Sequence, residues 1–404
     1  MFPLQTRATI SGSIQQPILK VLTLEEFVRT KRNPADCALW FDGSAALYSS
    51  RAIEDVAWGA VFCPATQQPQ LRAIPGQCVV SEPRAARVIS PGDVIRVNHH
   101  SHLVSVLYRR GSRNNSLLVT ERCNSYCIMC SQPPIERDDS ARVDELLRVI
   151  PLVDLDEPVL GITGGEPTLL GKDLVRLLAA ARAELPDTRL HILTNGRRFN
   201  ESDFTRQVAA VEHPAVQWAI PLYSDCPEIH DYVVQRRGAF SETLSGLLNL
   251  ARNEQRIELR VVLQQATVPR LRQLAHFIVR NLTFVDHVAW MGLEPMGFAR
   301  PNWKDIWIEP EDYVSPLADA IARLNDVRIA TSIYNVPLCV LPERLRAFAA
   351  QSISDWKNSY LEECETCSLR GQCCGFFSSV SRKYLPRNIH PIVSERQVSG
   401  VAHG

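Results

Sequence analysis

Between residues 117 and 334 the chain alternates strand-like with helix-like segments, and this alternation restricts its fold more than any other feature. The strand-like segments are short and rich in Val, Ile and Leu, as is typical of strands that are buried on both faces. Helical segments between them imply parallel strands joined by right-handed crossovers. Six such units predict an α/β fold with a partial (β/α)6 TIM-like barrel, in which reactive residues follow the carboxyl ends of the strands. The predicted strands are 117–120, 159–163, 190–194, 216–222, 258–264 and 285–291, and the predicted helices are 141–150, 172–184, 201–211, 242–253 and 270–281.

The first 115 residues differ because short strand-like segments and turn signals dominate them. Strands are predicted at 38–41, 77–81, 93–97 and 103–108, and together they indicate a small, mostly β module. Three histidines cluster at positions 99, 100 and 102. A solvated turn is favoured there over a metal site, because no cysteine or acidic residue flanks them.

The composition argues against some classes of function. Among 404 residues, 44 Lys and Arg balance 44 Asp and Glu, which disfavours binding of nucleic acid or anionic membrane through bulk charge. No secretory signal is visible at the start, and no apolar run reaches the roughly 18 residues that span a bilayer. We therefore expect a cytoplasmic protein whose 12 cysteines are metal ligands or free thiols rather than disulfides.

Three cysteines follow the first predicted strand of the barrel in a C-x3-C-x2-C run, at Cys123, Cys127 and Cys130. Three thiolates on one loop can hold three irons of a [4Fe–4S] cluster and leave the fourth iron open. A cofactor such as S-adenosylmethionine (SAM) can chelate that iron. The alternatives are buried small apolar residues, chance, or a zinc site, although zinc sites usually combine C-x2-C pairs with four ligands.

A Gly-Gly-Glu-Pro run at positions 164–167 directly follows the second strand. Paired glycines allow close approach of the backbone, so the carbonyls of Gly164 and Gly165 can accept hydrogen bonds from an ammonium group. Glu166 adds negative charge. The alternative is a plain turn into a helix that begins with proline.

Polar residues also follow later strands. Asn195 ends the third strand, where a turn stabilised by its own side chain is an equal alternative. Ser224 and Arg236 follow the fourth strand and could hold a ribose and a carboxylate, or belong to a polar loop. Glu294 follows the sixth strand and could touch cofactor or substrate, or lie on a surface loop.

A second group of cysteines lies near the C-terminus. Cys364, Cys367, Cys373 and Cys374 follow Cys339, and four available thiolates with one C-x2-C pair fit a second metal centre. An iron–sulfur cluster is favoured, and a zinc knuckle is the alternative.

The cysteine run, the strand-end Gly-Gly-Glu-Pro and the six β/α units together resemble the radical SAM superfamily. The resemblance implies that the three cysteines bind a [4Fe–4S] cluster whose open iron takes the amino and carboxylate groups of SAM. Reductive cleavage of SAM then gives a 5′-deoxyadenosyl radical that abstracts a hydrogen atom from the substrate. The resemblance assigns Gly164, Gly165 and Glu166 to the amino group of SAM, and Asn195, Ser224 and Arg236 to its ribose and carboxylate. Met129 departs from the family pattern, since relatives often have an aromatic residue there, but its thioether could still contact the adenine.

The C-terminal cysteines resemble the auxiliary-cluster extensions called SPASM or twitch domains. One auxiliary [4Fe–4S] cluster is implied, held by Cys339, Cys364, Cys367 and Cys373, with Cys374 able to replace Cys373. The expected organisation is therefore a β module at 1–115 that could bind a peptide, a radical SAM barrel at 116–335, an auxiliary-cluster region at 336–390 and a tail at 391–404.

Residues 118–134 resemble the HxsC family, the radical SAM maturases of His-Xaa-Ser peptide systems. This implies modification of a ribosomally made precursor peptide, beside a second radical SAM maturase and an electron donor such as flavodoxin or ferredoxin. Two alternatives stay open: a radical SAM enzyme acting on a small molecule or nucleotide, and a zinc-stabilised β/α scaffold without activity. The sequence names no catalytic residue beyond the cofactor ligands.

Overall fold

The computed structural model describes residues 4–41, 56–64, 78–82, 88–351, 359–378 and 380–393. Within them the chain forms one sheet of eight strands and one sheet of seven parallel strands. The first residue of the predicted strand at 77–81 lies outside the described residues, as does the predicted tail from 394 onward.

The eight-stranded sheet is built by the N-terminal residues. Its strands are β1 (Gln5–Arg7), β2 (Thr9–Ser11), β3 (Ile18–Leu22), β4 (Cys37–Trp40), β5 (Ala60–Pro64), β6 (Val79–Glu82), β7 (Val94–Asn98) and β8 (Leu103–Tyr108). They are arranged in the order β1-β8-β7-β3-β4-β5-β6-β2. The two edge strands are joined by Ala8 alone, so the sheet curls until its edges meet at this residue. The mostly β prediction is confirmed, although only β4, β6, β7 and β8 were predicted as strands.

Apolar side chains fill the inside of this curled sheet, among them Leu19, Phe62 and Ile95. Helix α1 (Leu24–Thr30) follows β3. Its start is fixed by a capping box, since the Thr23 hydroxyl accepts the N–H of Glu26 at 3.2 Å and the Glu26 carboxylate accepts the N–H of Thr23 at 3.0 Å.

The N-terminal sheet is fastened to the rest of the chain by buried polar contacts. The ammonium of Lys20, which is fully buried, lies 2.8 Å from the carboxylate of Asp154. The hydroxyl of Tyr108 donates to Glu157 at 2.8 Å. Tyr108 also belongs to the same apolar core as the parallel strands. The two sheets therefore share one packed junction.

The parallel sheet follows the chain strand by strand. Its strands are β9 (Ser116–Thr120), β10 (Val159–Gly164), β11 (Arg189–Leu193), β12 (Val216–Pro221), β13 (Arg256–Val262), β14 (His287–Met291) and β15 (Ala330–Tyr334). The helices are α2 (Ser140–Val149), α3 (Lys172–Glu184), α4 (Ser202–Ala209), α5 (Pro227–Val234), α6 (Ala239–Arg252), α7 (Leu271–Asn281), α8 (Trp303–Ile306), α9 (Pro310–Asn325) and α10 (Glu343–Arg346). This order confirms the partial TIM-like barrel and adds a seventh strand, β15, to the six that were predicted.

The two faces of the parallel sheet differ in exposure. Side chains facing the helices are fully buried, such as Leu259 and Val261 of β13. The residues between them face the inside of the partial barrel, which we call the lumen. Many of these, such as Arg260, His191 and Met291, are only partly buried, so solvent reaches the lumen.

Among the described helices, none has both the length and the apolar character that crossing a bilayer requires.

Candidate active site

The three predicted cluster cysteines lie together on the loop after β9, at the carboxyl edge of the parallel sheet. We call residues 121–131 the cysteine loop. Cys123, Cys127 and Cys130 are all partly exposed. Carboxyl ends of parallel strands are where barrel enzymes place their chemistry, so the loop stands where the sequence predicted it.

Two later parts of the chain hold the cysteine loop in place. The N–H of Ile128 donates to the carbonyl of Val233, at the end of α5, at 3.0 Å. The N–H of Phe298 donates to the carbonyl of Cys130 at 2.8 Å. A Cβ at Gly297 would lie 2.3 Å from that same carbonyl, so the approach requires glycine. The sequence analysis missed Gly297 because the contact joins segments that are far apart in the chain.

The three thiols are close enough to influence one another. Burial raises the pKa of Cys123 to about 12, and the nearby charges of Glu166 and Cys130 raise it further. Burial also raises the pKa of Cys127, and both other cysteines add to that rise. Neighbouring thiolates in a buried site need a positive partner, and metal binding supplies one while releasing the protons.

That the three thiols hold a [4Fe–4S] cluster stays a prediction. Among the described residues, no three His, Cys, Asp or Glu side chains converge at the distances that one metal ion requires. In a [4Fe–4S] cluster each thiolate binds a different iron, so the ligands surround a volume rather than one point. Backbone hydrogen bonds from Ser125 and Asn124 work to lower the pKa of Cys123, and hydrogen bonds to cluster sulfurs also tune the reduction potential.

The glycine pair at the end of β10 packs directly on the base of the cysteine loop. A Cβ on Gly164 would lie 2.3 Å from the carbonyl oxygen of Thr120, and a Cβ on Gly165 would lie 2.2 Å from that of Arg122. The N–H of Gly165 donates to Thr120 at 2.9 Å, and the N–H of Glu166 donates to Arg122 at 2.8 Å. The predicted close backbone approach is therefore present, and what approaches is the start of the cysteine loop.

Glu166 is fully buried and its carboxylate is engaged by protein donors. One oxygen accepts the N–H of Thr168 at 2.9 Å and the hydroxyls of Thr168 and Thr194 at 2.6 Å each. The other oxygen accepts the N–H of Asn195 at 2.6 Å. Glu166 therefore joins the ends of β10 and β11. That it touches SAM stays a prediction.

Arg197 is a site residue that the sequence analysis missed. The residue is 5% exposed, and its side chain donates to the carbonyl of Asn124 at 2.7 Å and to the hydroxyl of Ser125 at 3.1 Å. Glu242 pairs with it at 2.6 Å. The amide of Asn195 donates to the side chain of Asn124 at 2.6 Å. The turn after β11 thus holds the cysteine loop through hydrogen bonds from Arg197 and Asn195. The only sequence signal for Arg197 was its position two residues after Asn195.

The other predicted SAM residues fall in different surroundings. Met129 is buried in an apolar cluster that includes Ile128 and Tyr223. Ser224 is fully buried, and its hydroxyl accepts the N–H of Cys226 at 3.1 Å. Arg236 is exposed in the turn after α5. The roles of these residues toward SAM stay predictions.

The C-terminal cysteines also lie close to one another. The sulfur of Cys373 accepts the N–H groups of Leu338 and Gly375 at 3.4 Å each. The charge of Cys373 acts on both Cys339 and Cys364. The sulfur of Cys367 accepts the N–H of Ile392 at 3.4 Å. The structure thus brings together Cys339, Cys364, Cys367 and Cys373, while the neighbouring Cys374 is only 4% exposed.

Part of the chain is similar to known proteins. Residues 117–277 match the family model described as the radical SAM superfamily. No curated protein matches the chain.

Several solved structures resemble part of the chain at low identity. SuiB of Streptococcus suis is 13% identical over 54% of this chain and 48% of its own, with a TM-score of 0.43. The anSMEcpe structure with bound AdoMet and Cp18Cys peptide is 16% identical over 54% of this chain and 62% of its own, with a TM-score of 0.42. HemN of Escherichia coli, a coproporphyrinogen III oxidase, is 15% identical over 52% of each chain, with a TM-score of 0.40. The chain thus spans between about half and two thirds of the length of these proteins.

Proposed function

We propose that the protein is a radical SAM enzyme that modifies a ribosomally made peptide of the His-Xaa-Ser type. The observation that carries the proposal is the cysteine loop itself. Its three thiols stand together at the carboxyl edge of the sheet, directly against the glycine pair of β10. When bound, the cluster and SAM supply reductive cleavage of SAM and removal of a hydrogen atom from the substrate.

The chain's own residues position this chemistry. Cys123, Cys127 and Cys130 would hold three irons, and the backbone carbonyls at Gly164 and Gly165 would accept hydrogen bonds from the amino group of SAM. Buried Glu166 and Arg197 fix the turns that face the loop, so the site is ordered before a ligand arrives. The apolar cluster that contains Met129 offers a polarisable surface to an adenine ring.

An auxiliary cluster at Cys339, Cys364, Cys367 and Cys373 is part of the proposal. Two backbone N–H groups already point at the sulfur of Cys373, as expected for a ligand thiolate. In the proposed enzyme this second cluster lies on the C-terminal side of the barrel domain. Flavodoxin or ferredoxin is the expected electron donor, and a second radical SAM maturase is an expected partner.

A peptide substrate is supported by the shape of the molecule. The lumen is open to solvent, and the curled N-terminal sheet is fastened to the barrel domain through Lys20 and Tyr108. A leader segment held by that sheet would keep the rest of a peptide near the cysteine loop, which raises its effective concentration there.

The test uses the protein reconstituted with iron and sulfide without oxygen. It is incubated with SAM, dithionite and a precursor peptide that carries His-Xaa-Ser repeats, and the mass of the peptide is followed. A shuffled peptide of the same composition is the control. We expect binding and a mass change for the native order alone. Failure to bind the peptide, together with turnover of a nucleotide, would overturn the peptide assignment.

A further inference from the structure

A carboxylate with two histidine partners lies inside the lumen, on the barrel strands rather than on the cysteine loop. Glu258 of β13 is 8% exposed at its side chain. One of its oxygens lies 3.0 Å from Nδ1 of His287, and the other lies 3.3 Å from Nε2 of His191. The far nitrogen of His287 is 3.0 Å from the hydroxyl of Ser332. Burial works to raise the pKa of Glu258, but the hydrogen bonds to the two histidines outweigh it, so the pKa lies below its usual range.

Arg260 stands two residues further along β13, on the same face of the strand and nearer its carboxyl end. Its side chain is 15% exposed. Nε is buried and has no hydrogen-bond partner among the described residues, and it lies 3.7 Å from an oxygen of Glu258. One terminal nitrogen donates to the sulfur of Met291 at 3.0 Å.

In this environment Glu258 balances the charge of the guanidinium, but Nε is left without a hydrogen-bond acceptor among the described residues. Arginine carries five N–H donors in a flat fork, and a thioether is a weak acceptor. Glu258 is the nearest carboxylate, but it lies beyond hydrogen-bond distance and already serves two histidines. A largely buried cation gains most from a partner that meets its fork with two parallel hydrogen bonds, which a carboxylate does.

Arg260 also lies between the base of the lumen and the cysteine loop. The N–H of Leu222, next to Tyr223, donates to the carbonyl of Arg260 at 3.1 Å. Tyr223 itself packs in the same apolar cluster as Ile128 and Met129 of the cysteine loop. A ligand held by the guanidinium would therefore lie close to the place where the cysteine loop supports its chemistry.

We propose that Arg260 binds a carboxylate group of the substrate inside the lumen. This rests on the proposed function, since it assumes that the substrate enters there. For a peptide, the carboxylate is an acidic side chain or the chain end. SAM also carries a carboxylate, so the test must separate these two sources.

The test follows the side-chain Nε–H signal of Arg260 by NMR, in protein labelled with 15N at arginine. Arg260→Gln identifies the signal by removing it. Sodium acetate is titrated as the probe, with acetamide as the uncharged control. Arg272 provides an internal reference, because its Nε already donates to Asp319 at 2.6 Å on the surface.

We expect acetate, and not acetamide, to move the Arg260 signal in a saturable way, both without SAM and with SAM bound, while the Arg272 signal stays in place. No movement with acetate would overturn the proposal. A shift caused by SAM alone, with no further response to acetate, would overturn it too, because the carboxylate would then be that of SAM.

The titration needs no turnover, so its result can be distinguished from the result of a test of the proposed function. An acetate response without formation of 5′-deoxyadenosine from SAM would count against the proposed function and leave the carboxylate site standing. Formation of 5′-deoxyadenosine without an acetate response would support the radical SAM chemistry and overturn the carboxylate site.

Discussion

The N–H of Asn195 donates a hydrogen bond of 2.6 Å to the buried carboxylate of Glu166, and this bond ties the end of β11 to the end of β10. Both turns then contact the cysteine loop, through Asn124 on one side and Arg122 on the other. The loop is therefore held by a pair of strand ends that are themselves joined by a hydrogen bond.

Glu166→Gln should destabilise the protein strongly. Glutamine keeps the size of the side chain, but its amide nitrogen cannot accept a hydrogen bond, so either the bond from Asn195 or the bonds from Thr168 and Thr194 are lost. Loss of hydrogen bonds to a buried carboxylate costs about 2–4 kcal/mol in the free energy of unfolding. Urea unfolding measures this, with Glu184→Gln at an exposed helix end as the matched control. Equal effects of the two substitutions would contradict the assigned role.

Arg197→Gln should loosen the cysteine loop. The variant loses the hydrogen bonds to Asn124 and Ser125 and the ion pair with Glu242. We expect reconstituted protein to release iron to a chelator several times faster than wild type. Arg206→Gln, at a surface arginine whose side chain is 67% exposed, should change nothing. Identical release from all three proteins would show that Arg197 does not support the loop.

Gly165→Ala should also displace the loop, because its new Cβ would stand 2.2 Å from the backbone oxygen of Arg122. The backbone cannot move aside as a flexible side chain does. We therefore expect the free energy of unfolding to fall by about 3 kcal/mol, or the cluster not to bind at all. Gly371→Ala is the control, since a Cβ there meets no atom within 4 Å. Normal iron content in Gly165→Ala would be the contrary result.

Cys373 and Cys374 should differ in their effect on iron content. Cys373 accepts two backbone N–H groups and lies near Cys339, whereas Cys374 is buried beside it. We expect Cys373→Ser to lose about four iron atoms per chain. Cys374→Ser should retain them. The opposite pattern would make Cys374 the ligand.

His230 should make the stability depend on acid pH. Burial lowers its pKa from 6.5 to about 4. The ring is 1% exposed, and its Nδ1 accepts the N–H of Tyr223 at 3.3 Å. Between those two pH values the unfolded chain binds a proton that the native chain does not. Stability should therefore fall as the pH drops through this window, by about 3 kcal/mol in total.

His230→Gln should flatten that pH profile, because glutamine does not titrate and its carbonyl can still accept the N–H of Tyr223. His276→Gln, at an exposed histidine, is the control and should keep the slope of the wild-type protein. Urea unfolding between pH 7 and pH 4 compares the three proteins. A wild-type slope in His230→Gln would assign the pH dependence to other groups.

The sequence predicted those features that depend on local pattern. Helix α3 has the predicted bounds 172–184, because its apolar residues repeat with helical spacing and Gly171 precedes them. The cysteine run and the glycine pair were identified because the spacing of these residues in the sequence itself indicates their chemistry. The closure of the N-terminal sheet was not predicted, since β1 and β2 have three residues each and pair with strands far along the chain.

Features decided by long-range contact were missed in the site as well. Arg197, Arg260 and Glu258 are ordinary charged residues in the sequence. Only the fold shows that Arg197 is buried against the cysteine loop and that the other two face the lumen. Gly297 is likewise one glycine among 19 until its backbone is seen against Cys130.

Formation of 5′-deoxyadenosine is the most direct test of the cysteine loop as the site of SAM chemistry. Reconstituted protein is incubated without oxygen with SAM and dithionite, beside Cys127→Ala and the control Cys226→Ala. We predict the product with wild type and Cys226→Ala and none with Cys127→Ala. Product formation that persists in Cys127→Ala, or a protein that binds zinc and no iron at this loop, would contradict the account.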